Sequence, residues 1–188
     1  MKRFGKIIVL MVFCTAFSLP SYSSKGPVDP AGPGNGILGF GFGPGVGWYG
    51  ASGFGPAILA HYDHSIWKVG PGTISLGGQV GTSFYWYKHL TYNYSWINMG
   101  VVFRAAYHYG WKVPGLDTYA GFGAGTQFSM FDNDGDPDPG RDDFRIGFLP
   151  TGFVGASYFF TDVIGVNAEF GHNFAYASIG LNFRLGKK

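Results

Sequence analysis

Beyond its first two dozen residues the chain has no cysteine, no long apolar run and very little charge. Its single cysteine is Cys14. The remainder can therefore form neither a disulfide nor a thiolate metal site. No stretch after residue 23 is apolar over the ~20 residues that a membrane helix needs. Only 13% of residues are charged, against about 25% in ordinary soluble chains. Lys2, Arg3 and Lys6 are three of the thirteen basic residues, which leaves ten Lys and Arg against eleven Asp and Glu. That near-balance gives no basic patch for nucleic acid.

The N-terminus has a separate logic. The three basic residues precede "IIVLMVFCTAF", and "SLPSYS" sets Ser21 and Ser23 at the −3 and −1 positions of a cleavage site. This is the layout of a secretory signal peptide, expected over residues 1–23. Bulky Phe13 before Cys14 argues against a lipoprotein. Segment 24–35, containing "GPVDPAGPGN", is too rich in Pro and Gly to pair, and is expected to be a flexible leader.

What the chain does have is aromatic residues (19%), 33 glycines and strict alternation. In "GTISLGGQVGTSFYW", Ile74, Leu76, Val80, Thr82, Phe84 and Trp86 fall on one face. Thr73, Ser75, Gln79, Ser83 and Tyr85 fall on the other. "LDTYAGFGAGTQFSM" separates Leu116, Ala120, Phe122, Phe128 and Met130 from Asp117, Tyr119, Gln127 and Ser129, and "ASIGLNFRL" behaves likewise. A period of two with one apolar face makes half-buried strands. A soluble sandwich would place Lys and Glu on its wet face, whereas here the second face is Gly, Ser, Asn, Gln and Tyr. Export without membrane helices, with apolar residues at every second position, indicates an all-β, eight-stranded antiparallel transmembrane β-barrel over residues 36–188.

The expected strands are 36–48, 54–66, 72–87, 92–109, 115–130, 143–160, 163–172 and 174–185. With the N-terminus periplasmic, "GWYGASG", "KHLTYN", the acidic stretch and a short "HN" corner face outward, and "KVGPG", "GWKVPG" and "TD" face inward. Trp48, Tyr49, Tyr85 to Tyr87, Tyr107, Tyr109, Trp111 and Tyr158 to Phe160 cluster near strand ends, as two interfacial girdles would.

The pieces "VGPGTISLGG", "AAYHYG", "LDTYAGFGAG" and "ASYFFTDVIGVNAEFGHNFAYASIGLNFRL" resemble the small eight-stranded outer-membrane β-barrel proteins of the porin-like superfamily. The resemblance implies a fold and a place in the bacterial outer membrane of a Gram-negative cell. Many members have no assigned activity, so it implies no reaction.

Charge in a narrow barrel is costly unless paired. Alternation turns Arg104, Asp117, Glu169 and Arg184 inward, beside Gln79, Asn98, Asn167 and Asn182. They are expected to form a lumenal charge network, either structural or gating. An eight-stranded barrel is just filled by its side chains, so a narrow ion or small-solute channel is the second reading. A lipid-A-modifying barrel enzyme is the third. It needs a nucleophile, a His and a carboxylate together. In "HYDHS", His61 and Asp63 share a face, but His64 and Ser65 point oppositely, so no catalytic residues are assigned and no enzyme is expected.

Six of the eleven acidic residues lie in "FDNDGDPDPGRDDFR". From Asp132, carboxylates stand at positions 1, 3, 5, 7 and 12 of a calcium-loop spacing: Asp132, Asp134, Asp136, Asp138 and Asp143. Pro137 occupies the position that calls for Gly, and the last position lacks the bidentate Glu. The stretch reads as a solvated outer loop with weak calcium binding as the alternative, and no other cofactor is expected. The expected partners are outer-membrane lipid, lipopolysaccharide and an extracellular ligand on 131–143, with the chain itself a monomer. The reading is a non-catalytic barrel with a structural or surface-interaction role.

Overall fold

The computed structural model describes residues 29–45, 55–89, 92–134 and 144–186. The expected signal peptide lies outside them, as do Trp48 and Tyr49. Eight antiparallel strands close into a barrel in sequence order. They are β1 (Gly36–Pro44), β2 (Pro56–Val69), β3 (Gly72–His89), β4 (Tyr92–Tyr109), β5 (Leu116–Asp134), β6 (Phe144–Phe159), β7 (Ile164–His172) and β8 (Ala177–Leu185). The ring closes through β1 and β8, in register from Gly36↔Leu185 to Phe42↔Ile179.

The alternation sorts the two faces as the sequence demands. Ser75, Gln79 and Ser83 are buried inside, while Leu76, Val80 and Trp86 on the same strand are exposed outside. Phe103, Phe122 and Phe148 are the most exposed large side chains of the wall, at 80%, 73% and 72%. An apolar belt of this size has no place in water. In lipid it is solvated, and closure leaves no strand edge without a hydrogen-bond partner. The barrel is therefore membrane-spanning. Trp67, Tyr107, Trp111 and Tyr158 are exposed around its inner rim, as an interfacial girdle requires. Tyr85 departs from the expected outer girdle: it is on an inward-facing position and is 1% exposed.

The interior is built by interdigitation. Inward-facing glycines make room for long side chains from the neighbouring strand or from the outer corner. A Cβ at Gly39 would meet the His61 imidazole, one at Gly155 the Tyr119 ring, and one at Gly81 the Phe174 ring at 2.5 Å. Phe174 and Ala175 join Ala57, Leu59, Val102 and Leu149 in an apolar layer, and polar groups fill the levels on either side of it.

Four expectations are corrected at the strand ends. Asp132 to Asp134, expected in a loop, continue β5 opposite Ser95 to Asn93. Phe174, expected in β8, belongs to a corner over residues 173–176 that turns into the lumen, where it is 1% exposed. The inner connection between β6 and β7 is longer than "TD": it runs from residue 160 to 163, and Thr161 Oγ1 accepts from Val163 N and Ile164 N at 3.2 and 2.8 Å. Within the Pro- and Gly-rich leader, Gly34 N donates to Ser65 O at 2.8 Å, and Asn35 O accepts from Ser65 N at 2.9 Å. Pro30 and Ala31 are buried, Ala31 beside Ile37 and Phe159. This part of the leader is folded across the inner mouth. Its proline has no N–H to satisfy there, which suits it to a cap.

Phe122→Arg tests the lipid-facing assignment. Near the bilayer midplane the substitution is expected to lower unfolding stability by about 2–4 kcal/mol. Denaturant unfolding of the barrel in lipid vesicles measures it. An unchanged midpoint would mean that this face does not meet hydrocarbon.

Candidate functional site

The described chemistry lies in the lumen. Inward positions of β2, β4 and β7 bring Asp63, Arg104 and Glu169 together, each 2% exposed. Arg104 Nη2 donates to Glu169 Oε2 at 2.8 Å, and Nη1 donates to Gln79 Oε1 at 3.2 Å. Its Nε lies 3.1 Å from Asp63 Oδ1. The guanidinium carbon sits 3.8 Å over the Phe153 ring centroid. A planar, always-charged fork is suited to this role, since it can address two carboxylates and stack on a ring at once. His61 Nε2 is 3.9 Å from Asp63 Oδ2, at the margin of the cluster.

A second chain lies toward the inner end. His108 Nδ1 is 2.8 Å from Asp117 Oδ2, and His108 Nε2 is 2.9 Å from Ser75 Oγ. The carboxylate accepts from Nδ1–H, which leaves Nε2 to accept from the Ser75 hydroxyl. This tautomer is assigned from the bonding pattern. The connectivity is that of a serine nucleophile, its base and the orienting acid. Ser75 is 0% exposed, however, and Thr73, Tyr119 and Ser157 around it are also buried.

Toward the outer end, Asn173 Nδ2 donates to Glu169 Oε1 at 2.9 Å, and Asn173 Oδ1 accepts from Ala175 N at 2.9 Å. Farther out, Ser129 Oγ donates to Asn98 Oδ1 at 2.7 Å. Back toward the inner end, Asn182 Nδ2 donates to Ser157 Oγ at 2.8 Å.

Of the four charged residues grouped from sequence, Arg104 and Glu169 meet directly, and Asp117 lies one cluster away with His108. Arg184 is corrected. It stands at the inner end, half-buried, and its Nε donates to Asp162 O at 2.8 Å instead of entering the network. Alternation gives the face of a residue but not its depth, and Arg184 is one residue from the end of β8. The residues missed as members were Asp63, His61, His108 and Ser75. For His61 and Asp63 the signal was present: "HYDHS" places them with Ser65 on one inward face, and all three are buried. The side chains of Asp132, Asp134, Asp136, Asp138 and Asp143 lie outside the described residues. Among the described residues no three His, Cys, Asp or Glu side chains converge as metal ligands.

No protein-family profile and no curated protein matches the chain. Solved structures do. Ail, the attachment invasion locus protein of Yersinia pestis, matches with a TM-score of 0.52 at 11% identity, over 81% of this chain and 99% of that one. Neisserial surface protein A matches at 0.49 and 13% identity, over 82% and 97%. The outer membrane enzyme PagL matches at 0.37 and 14% identity, over 81% and 99%. What is shared with Ail at this identity is the fold. The chain has the architecture of an eight-stranded outer-membrane β-barrel, and its apolar belt suits that membrane.

Arg104→Ala leaves Asp63 and Glu169 buried without their cation. The expected loss of unfolding stability is about 3–5 kcal/mol, the range for breaking a buried ion pair on one side. Replacing Arg104, Asp63 and Glu169 together with apolar residues is expected to cost less than Arg104→Ala. A single-site loss below about 1 kcal/mol would show that the cluster is not a structural centre.

Proposed function

We propose, for a chain with the fold of the eight-stranded outer-membrane β-barrels, a non-catalytic role carried out at the outer end, where it presents a surface to molecules outside the cell. The observation that carries this reading is strand length. β1, β7 and β8 have nine residues each, which is enough to cross when tilted. β3 and β4 have 18 and β5 has 19. β3 runs six residues beyond Ser83, its last partner at the outer end of β2, and β6 starts eight residues before Gly152, the partner of His172 at the end of β7. Sheet far beyond a crossing length is superfluous in a pore or a membrane anchor. It is what holds an interaction surface away from the lipid.

The filled lumen supports the same reading against an open channel. Arg104, Phe153 and Phe174 occupy levels that a conducting path would need free. The burial of Ser75 supports it against a hydrolase, because a nucleophile must reach its substrate. A fold does not carry a function with it, but the name of Ail records attachment as one use of this architecture. The partners that fit the outer end are lipopolysaccharide and an extracellular ligand of the acidic connection, with calcium as a bridging ion.

Cells displaying the wild-type barrel are to be compared with cells in which residues 135–143 are replaced by a Gly-Ser segment of equal length. Adherence to lipopolysaccharide-coated wells is scored with and without calcium, at matched amounts of folded barrel. The variant is expected to lose most adherence, and the wild type to lose part of it without calcium. Equal adherence of both strains would overturn the surface role of this connection. A fluorophosphonate probe is expected to leave Ser75 of the folded barrel unlabelled, and labelling that Ser75→Ala abolishes would reinstate the enzyme reading.

A further inference from the structure

The lipid-facing wall carries a groove of about 500 Å³ that crosses β5 to β8 and reaches β1. Its floor is Ala156 and Ala168, paired in register on β6 and β7. Ser157 and Asn167 turn their side chains into the lumen, so they give the groove only backbone. Leu116, Tyr158, Val166 and Leu181, successive partners across the strands, form one long side. Ile179 and Phe42, next in register beyond Ala168, close the far end.

The groove climbs. Leu116 is the first residue of β5 and Val166 the third of β7, both near the inner rim. Leu181 is the middle residue of β8, and Phe42 is the seventh of nine in β1. The slot therefore starts at the inner rim on β5 and rises obliquely toward the centre of the apolar belt. That slope fits a molecule with a polar end at the rim and an apolar tail aimed at the midplane.

A strained turn marks the rim end. Trp111 and Lys112 both take left-handed backbone, with φ of 51° and 57°, a conformation that is costly for any residue with a Cβ. The wall holds the turn in place. Trp111 Nε1 donates to Thr118 Oγ1 at 2.8 Å, and Thr118 Oγ1 donates to Tyr109 O at 2.7 Å. The rings of Tyr109 and Trp111 meet edge-on, with centroids 4.8 Å apart. Thr118 is the register partner of Ala156, and a Cβ at Gly115, in the same turn, would lie 3.6 Å from the Tyr158 ring. The turn thus borders the slot on its β5 side. Lys112 is exposed there, and among the described residues no carboxylate pairs with it. On the neighbouring β6–β7 turn, Asp162 is accompanied by Arg184, whose Nε donates to its carbonyl.

We propose that this groove seats one glycerophospholipid of the inner leaflet, with an acyl chain along Ala156 and Ala168 and the phosphate on Lys112. The tail fills a slot that ascends into hydrocarbon and asks for no polar partner. The phosphate meets an ammonium at the level of Trp111, whose ring belongs at the headgroup boundary. The strained turn sets that ammonium beside the mouth of the slot. A second copy of the chain would suit the apolar slot but gives Lys112 no role, and lipopolysaccharide would enter from the opposite leaflet. The seat lies at the other end from the presenting surface and does not depend on it.

The test is native mass spectrometry of the chain from residue 24, refolded in detergent micelles and titrated with phosphatidylglycerol or with diacylglycerol. Folding of each variant is confirmed by heat-dependent gel mobility. Wild type is expected to retain one phosphatidylglycerol, saturating at one per barrel. Ala156→Leu with Ala168→Leu, which fills the slot, is expected to raise the half-saturating concentration at least tenfold. Lys112→Gln is expected to raise it about threefold for phosphatidylglycerol, the effect of an exposed ion pair, and to leave diacylglycerol binding unchanged.

A modification made after folding keeps the test independent of the double variant. The chain from residue 24 has no cysteine, so Ala168→Cys can be capped with a hexyl thiosulfonate in the folded barrel. Capping is expected to displace the lipid and reductant to restore it. Binding that neither the leucines nor the cap weakens would overturn the proposal. So would a Lys112→Gln barrel that binds phosphatidylglycerol as wild type does, or that loses both lipids equally. A dimer that the two leucines abolish, in place of a lipid adduct, would make the slot a contact between copies instead.

Discussion

Everything in this barrel follows from the backbone's need for partners where there is no water. A strand edge in hydrocarbon would leave several polar groups unsatisfied, each at a cost of kilocalories. The sheet therefore closes, β1 onto β8, and closure turns half of every strand toward a narrow interior. The outer half is solvated by lipid and asks only to be apolar. The inner half must be packed from the chain's own residues, and most of the chain's individuality lies there.

The interior meets that demand in two ways that depend on each other. Glycines accept aromatic and imidazole rings from the neighbouring strand or from the outer corner, so bulk is supplied without widening the ring. Polar side chains then satisfy one another in clusters, of which Asp63–Arg104–Glu169 is the most charged. Arg104 is central because its fork reaches two carboxylates and a glutamine while its face covers Phe153. Asn173 extends the same network into the outer corner, so the packing of an apolar stopper depends on an ionic layer beneath it.

The Ser75–His108–Asp117 chain shows why geometry has to be read together with depth. Its distances match those of a hydrolytic triad, yet its surroundings are those of a hydrogen-bonded filling. The groups are donors and acceptors that strands β3, β4 and β5 turned inward, and they pair because burial leaves each no other partner. The outer end differs. There the longest strands stop serving the membrane, and an acidic connection of low apolar content follows β5.

How much was legible depends on which physical rule fixed each feature. Period-two alternation is a local property of the strand, so the sequence by itself determined the eight strands, their order and the face of nearly every residue. It placed Arg104, Asp117 and Glu169 inside for the same reason. Depth along the barrel is set by the stagger between neighbouring strands, which no single strand encodes. Only the tertiary structure could therefore seat Arg184 at the inner end, bring Asp63 to Arg104, and join His108 to Asp117 and Ser75. The same holds for residues 173–176. A Gly-His-Asn-Phe corner reads locally as an exposed turn, and it enters the lumen because Gly81 and Gly100, some seventy to ninety residues earlier, leave room for a ring there.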